Sequence, residues 1–170
     1  MFIGIAIPSR IQEQLTDGLN HYAELCGEQT LPENRHVTLL WLGPDPQPHD
    51  ALPALTLPLA HSFTLTVAIT HVGRGKNASQ LWAYAAPTPA LEIVRKLLIE
   101  RVKENGLALP EDTHSDFTPH INLADLKSDS TQNILADYPV TAAFSVRELS
   151  VFERPAGSAT YASLGTILLA

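Results

Sequence analysis

Disulfides, membrane spans and a broad basic face are all missing from this sequence. Its single cysteine, Cys26, has no partner within the chain, so stability has to come from a packed core rather than from an internal disulfide. That usage suits a reducing cytoplasm. No apolar run approaches the ~20 residues of a membrane-spanning helix. The opening "MFIGIAIP" is broken by Pro8 and lacks the basic region and cleavage site of a secretory leader, and "TILLA" at the other end is shorter still. Both are expected to be strands. Lys and Arg number 11 against 18 Asp and Glu, a net charge of −7. This balance argues against gripping a long nucleic acid by counterion release and leaves a small anion held by a few local cations. Also absent are the His-x-x-x-His and Cys-x-x-Cys metal spacings, a Walker loop, a Gly-x-Ser-x-Gly elbow and a dinucleotide fingerprint. His114 with Asp112 and Asp116 mimics a metal cluster, but an acidic loop is the simpler account, so neither a metal nor a cofactor is expected.

What is present is an ordinary globular composition, 45% hydrophobic and 17% charged over 170 residues, enough for one domain or two closely packed lobes. After the first strand, Ile11, Leu15, Leu19, Tyr22 and Leu25 fall at helical spacing, with Ser9 and Gln12 as an expected capping box and Cys26 on the apolar side. A turn at "LPEN" leads into "RHVTLLWLG". The second half repeats this order. "LWAYAAP" resembles "FIGIAIP"; a helix then runs from N-cap Thr88 and Pro89 through Leu91, Val94, Leu98 and Val102 to a stop at Gly106; "TPHINLADL" follows. Downstream, "FTLTVAITHVG" from Phe63 and "FSVRELSVFER" from Phe144 are read as matching strands. Strand, helix, histidine strand, strand thus occurs twice, and two copies of one unit are expected to face each other about an approximate two-fold axis across a cleft. Five prolines between residues 44 and 58 break the symmetry and exclude a continuous helix there.

Strand alternation sharpens the two histidine segments. His36 and Thr38 share one face while Val37, Leu39 and Trp41 share the other; His120 and Asn122 likewise oppose Ile121 and Leu123. Each strand buries an apolar row and presents a histidine with a hydrogen-bonding neighbour. Two imidazoles in one cleft can divide the labour of base and acid at a phosphate, with short polar side chains holding the phosphoryl oxygens. Taken singly, a histidine at the start of an apolar strand reads as structural. Its recurrence at the same place in two matching units is what a structural account has to explain twice.

With these motifs in place the sequence resembles the two-histidine phosphoesterase superfamily and, within it, the 2'-5' RNA ligase or RNA 2',3'-cyclic phosphodiesterase family. The resemblance runs through "FIGIAIP", "LPENRHVTLLWLG", "LWAYAAP", "FTPHINL" and the closing "SVRELSVFERPAGSATYASLGTI". It implies an α+β fold for residues 1–170 as one duplicated, bilobal domain: two mainly antiparallel sheets, outer helices, and a central cleft carrying the two His-x-Thr/Asn-x strands. It implies a metal-independent phosphodiesterase in which His36 and His120 are the acid/base pair and Thr38 and Asn122 bind phosphate. The substrate would be an RNA end or small cyclic nucleotide, opened to a 2'-phosphate or ligated to a 5'-hydroxyl, and the protein a monomer free of membrane.

Two departures from the family pattern stand out. Asn122 replaces the usual Thr or Ser, and "EDTHSDFTPH" brings Glu111, Asp112 and Asp116 where relatives often carry arginine. The cations that would compensate are Arg74 and Lys76 in the glycine-bearing hairpin "GRGKN", whose default reading is a solvated turn, whereas alternation points Arg35 away from His36 and marks it as a surface or structural residue. Phe117 and Tyr161 stand in family-like positions where aromatics could flank a base, with core packing as the other reading. Two other readings stay open: a hydrolase of another cyclic nucleotide or cyclic oligonucleotide signal, and a nucleotide-binding module whose catalysis was impaired by the change at Asn122.

Overall fold

Phe2, Ile3, Gly4 and Ile5 are buried without a break in β1 (Phe2–Ala6), because this strand is central to its sheet and covered on both faces. The computed structural model describes residues 1–43, 57, 63–114, 117–128 and 136–169. In chain order, β1 is followed by α1 (Ser9–His21), β2 (Cys26–Gln29), β3 (His36–Trp41), β4 (Leu65–Arg74) and β5 (Gln80–Ala85). Then come α2 (Pro89–Glu104), β6 (His120–Leu126), β7 (Tyr138–Val146), β8 (Glu148–Glu153) and β9 (Ala162–Leu168). The architecture is α+β, with one sheet in the order β3-β1-β8-β9 and a second in the order β2-β6-β5-β4-β7. Every registered pair is antiparallel.

The sheets exchange strands between the two halves of the chain. β4, from the first half, pairs with β5, while β8, from the second, pairs with β1. The orders β3-β1-β8-β9 and β6-β5-β4-β7 therefore correspond position by position, with β2 added outside β6. The segment from Phe144, expected as one strand, is split: β7 ends at Val146 and β8 begins at Glu148, so the chain crosses between sheets at Arg147. The five-proline segment lies outside the described residues.

α2 follows the sequence closely. The Thr88 hydroxyl accepts from the Leu91 N–H at 3.3 Å, Pro89 occupies the first turn, and Gly106 takes a φ of +72° just past the end, where a side chain would be strained. Leu91, Val94, Leu98 and Val102 form its buried stripe, each contributing about 1.5–3 kcal/mol relative to exposure. α1 departs from expectation at both ends. Ser9 is its first helical residue, not its cap, and no side chain caps the helix. Gln12 is therefore one residue too far in for a capping box; its amide donates instead to the Pro32 carbonyl at 2.9 Å and accepts from Arg35. The helix also ends before Cys26, which starts β2 and is buried there.

Arg35, the residue just before β3, is 5% exposed. Its guanidinium donates to Gln12 Oε1 at 3.1 Å and to the Thr30 carbonyl at 3.2 Å, tying the start of β3 to α1. Replacing it with alanine removes two charge-assisted hydrogen bonds and buried stem packing, so Arg35→Ala is expected to cost about 1–3 kcal/mol in urea unfolding. An unchanged midpoint would show that the guanidinium is dispensable.

Candidate active site

The two histidine strands are built alike. β3 reads HVTLLW and β6 reads HINLADL, and each runs half-buried, buried, half-buried, buried, buried, exposed from its histidine. Two consecutive buried residues violate alternation, and the ladders show why. β1 pairs Gly4 with Thr38 but Ile3 with Leu40, skipping Leu39; β5 pairs Trp82 with Asn122 but Leu81 with Ala124, skipping Leu123. A β-bulge at the same position in both strands turns the following residue to the histidine face. Trp41, expected among the buried row, is for this reason 48% exposed, and Asp125 reaches the histidine cavity.

Before the bulge the alternation holds. His36, Thr38, His120 and Asn122 line one cavity of about 440 Å³, together with Tyr161 and Arg154. His36 Nδ1 lies 2.6 Å from the Asn34 carbonyl and His120 Nδ1 lies 2.8 Å from the Thr118 carbonyl. A carbonyl only accepts, so in both rings Nδ1 carries the hydrogen and Nε2 is left for proton transfer. The same anchor, two residues back, serves both.

Aromatic rings back each imidazole. Phe2 stacks on His36 with centroids 4.3 Å apart, and Trp82 stacks on His120 at 3.6 Å. Tyr161 meets His36 edge-on at 5.3 Å. Trp82 is itself fixed: its Nε1–H donates to Gln80 Oε1 at 3.1 Å, and a Cβ on Gly75 would fall 2.6 Å from the indole. Burial pushes the His36 pKa down from 6.5 to about 4, assisted by the charge of His120 and partly opposed by the Asn34 carbonyl. His120 is lowered too, first by burial and further by the positive charge of Lys76, against the Thr118 carbonyl.

The side chains of Thr38 and Asn122 make no hydrogen bond among the described residues, and Asn122 Oδ1 is buried without a partner. Their side-chain capacity is uncommitted, and both residues line the cavity. Of the other residues singled out from sequence, Tyr161 joins this cavity while Arg74, Lys76 and Phe117 do not line it. Arg74 donates to the Ala78 carbonyl at 2.7 Å and so braces its own hairpin. Lys76 and Phe117 line a neighbouring groove, where the Arg95 guanidinium lies 4.9 Å over the Phe117 ring. Glu111 is exposed on the 3₁₀ turn Glu111–His114, and Asp116 lies outside the described residues.

Sequence reasoning missed Phe2, Trp82, Asn34 and Arg154. Asn34 is a clamp: its Nδ2 donates to the Ala159 carbonyl at 2.7 Å and its Oδ1 accepts from the Tyr161 N–H at 3.0 Å, holding the segment that brings Arg154 and Tyr161 to the cavity. Only the period of β5 could have signalled Trp82, by setting it opposite Asn122. Among the described residues no three His, Cys, Asp or Glu side chains converge as metal ligands would.

The family model of the 2'-5' RNA ligase superfamily matches residues 7–158. Solved structures of the same fold include protein TT0787 of Thermus thermophilus, at 20% identity and a TM-score of 0.76, and a phosphoesterase at 19% and 0.71. E. coli LigT complexed with 3'-AMP follows at 18% and 0.72; in all three, 99% of this chain aligns with 96% of the other. No curated protein sequence matches the chain.

The stack on His120 generates a test. Gly75→Ala would drive the Trp82 indole off the imidazole and admit water, so the His120 titration, followed by NMR of the ring nitrogens, is expected to move up towards 6.5. A titration that stays put would show that the stack does not desolvate the ring.

Proposed function

Because the chain belongs to the 2'-5' RNA ligase superfamily, we propose that its paired histidines open 2',3'-cyclic phosphates on RNA ends or small nucleotides, leaving a 2'-phosphate, with 2'-5' ligation as the same displacement by a 5'-hydroxyl in place of water. Family and fold support a phosphoesterase-type function. The observation that carries the finer reading is the convergence of two Nδ1-anchored imidazoles and two uncommitted polar side chains on one cavity. The complex of E. coli LigT with 3'-AMP, a nucleotide bound by a protein of this fold, is consistent with a substrate of that size.

In the proposed step a water oxygen attacks phosphorus and loses its proton to one ring's Nε2. The bond from phosphorus to the 3'-oxygen breaks, and the other ring's Nε2–H protonates that oxygen. Thr38 Oγ1–H and Asn122 Nδ2–H donate to the phosphoryl oxygens as negative charge gathers there, and Arg154 adds the cavity's cationic side chain. The pair has to enter carrying one proton, and His36, the more strongly depressed ring, is the one that gives it up first. The same reading takes residues 1–170 as one duplicated, bilobal unit working as a monomer in the cytoplasm, with no metal or cofactor.

Turnover should persist in EDTA and fall about 10²- to 10⁴-fold in His36→Ala or His120→Ala; full activity in either variant would remove the proposal. As the pH falls through about 4, His36 takes up a proton and is lost as the acceptor, whereas above the ordinary 6.5 neither ring carries the extra proton that the donor needs. The kcat/KM of the free enzyme is therefore expected to peak between these limits, and a plateau reaching into the alkaline range would contradict the assignment. Asn122→Thr restores the family residue; a several-fold change in kcat is expected if this side chain meets the phosphoryl group, and unchanged kinetics would make it peripheral.

A further inference from the structure

Beside the histidine cavity runs a larger groove of about 780 Å³, against one side of α2. Lys76, Arg95, Lys96 and Lys103 line it, against the carboxylates of Glu92 and Glu100. Four of the chain's 11 Lys and Arg residues thus gather in one groove of a protein whose net charge is −7. The histidine cavity has the opposite balance, with Arg154 facing Glu28 and Asp125. A ligand with one phosphate can be served there, but a polyanion has to find its countercharge elsewhere.

The groove is joined to both histidine strands. Arg95 Nε donates to the Leu39 carbonyl of β3 at 3.2 Å, and Thr118, part of the groove wall, gives the carbonyl that anchors His120. Lys96 and Lys103 stand seven residues apart on α2, a stripe of about 10 Å along the axis. Arg95 covers the Phe117 ring at the groove's edge, which combines charge with an aromatic surface as single-strand binding grooves do.

We propose that this groove is a second subsite, holding the sugar–phosphate backbone of an RNA strand whose cyclic end lies at His36 and His120. It rests on the phosphodiesterase reading above and narrows it: the preferred substrate is an oligonucleotide, and the overall acidity of the chain misleads because the cations are segregated.

The test uses the full chain and an RNA of roughly six nucleotides ending in a 3'-phosphate, labelled at its other end and followed by fluorescence anisotropy at several salt concentrations. It is expected to bind at least about tenfold more tightly than a nucleoside 3'-monophosphate, and Lys96→Glu with Lys103→Glu to remove most of that advantage. The salt slope should fall by about 1.4, or 0.7 per phosphate no longer neutralised. Lys96→Ala with Lys103→Ala, which adds no charge on α2, should show a smaller loss in the same direction. Oligonucleotide affinity that is unchanged in both double variants, or no greater than that of the monophosphate, overturns the subsite. Parallel turnover of a nucleoside 2',3'-cyclic phosphate separates the two claims. Turnover without any oligonucleotide advantage overturns the groove and leaves the activity standing. Lysine-dependent RNA binding without opening of any cyclic phosphate upholds the groove and removes the activity.

Discussion

Side chains of an antiparallel strand alternate with a period of two, and a buried apolar face leaves that alternation no freedom. Val37, Leu39, Ile121 and Leu123 are all but fully buried. His36 with Thr38, and His120 with Asn122, have to face the other way. A slip of either strand by one residue would push an imidazole and a polar group into the core and expose two large aliphatic side chains. The register of two strands thus sets the positions of four polar side chains at once. The repeated bulge then ends the alternation where it is no longer needed, and in doing so exposes Trp41 and brings Asp125 to the cavity rim.

Holding the rings is a second problem, because a half-buried imidazole resists protonation and can rotate about χ2. The carbonyls of Asn34 and Thr118 answer the second difficulty by fixing the ring and its tautomer; stacking by Phe2 and Trp82 contributes to the first by excluding water. The two effects oppose each other in the proton affinity of the rings, and burial wins for both. A pair in which the rings differ in their hold on a proton is better suited to acid–base exchange than two equivalent rings. The difference arises from the more enclosed setting of His36; Lys76, whose charge lowers His120, works against it on a backbone plan that is otherwise alike.

Much of this plan was legible in the sequence. The period of two placed His36, Thr38, His120 and Asn122, and the helical period with Thr88, Pro89 and Gly106 placed α2. What escaped depended on contacts between distant segments. The Asn34 clamp joins residues more than a hundred positions apart, the exchange of β4 and β8 between sheets has no local signature, and a bulge is a property of two paired strands. The capping box failed for a related reason, since Gln12 was recruited by a buried guanidinium whose burial no local pattern discloses. The acidic total also hid the groove, because a net charge carries no record of where opposite charges lie.

Asn122 shows how little room a substitution has in such a site. A threonine hydroxyl can rotate and serves as donor or acceptor, whereas a carboxamide presents a donor at one end and an acceptor at the other. Here Oδ1 is the buried, unpartnered end, which leaves Nδ2 as the end that meets the cavity. The reverse orientation would aim a carbonyl oxygen at any bound anion. If the cavity binds phosphate as proposed, the anion selects the orientation with the amide hydrogens outward, the one that could stand in for a donor hydroxyl.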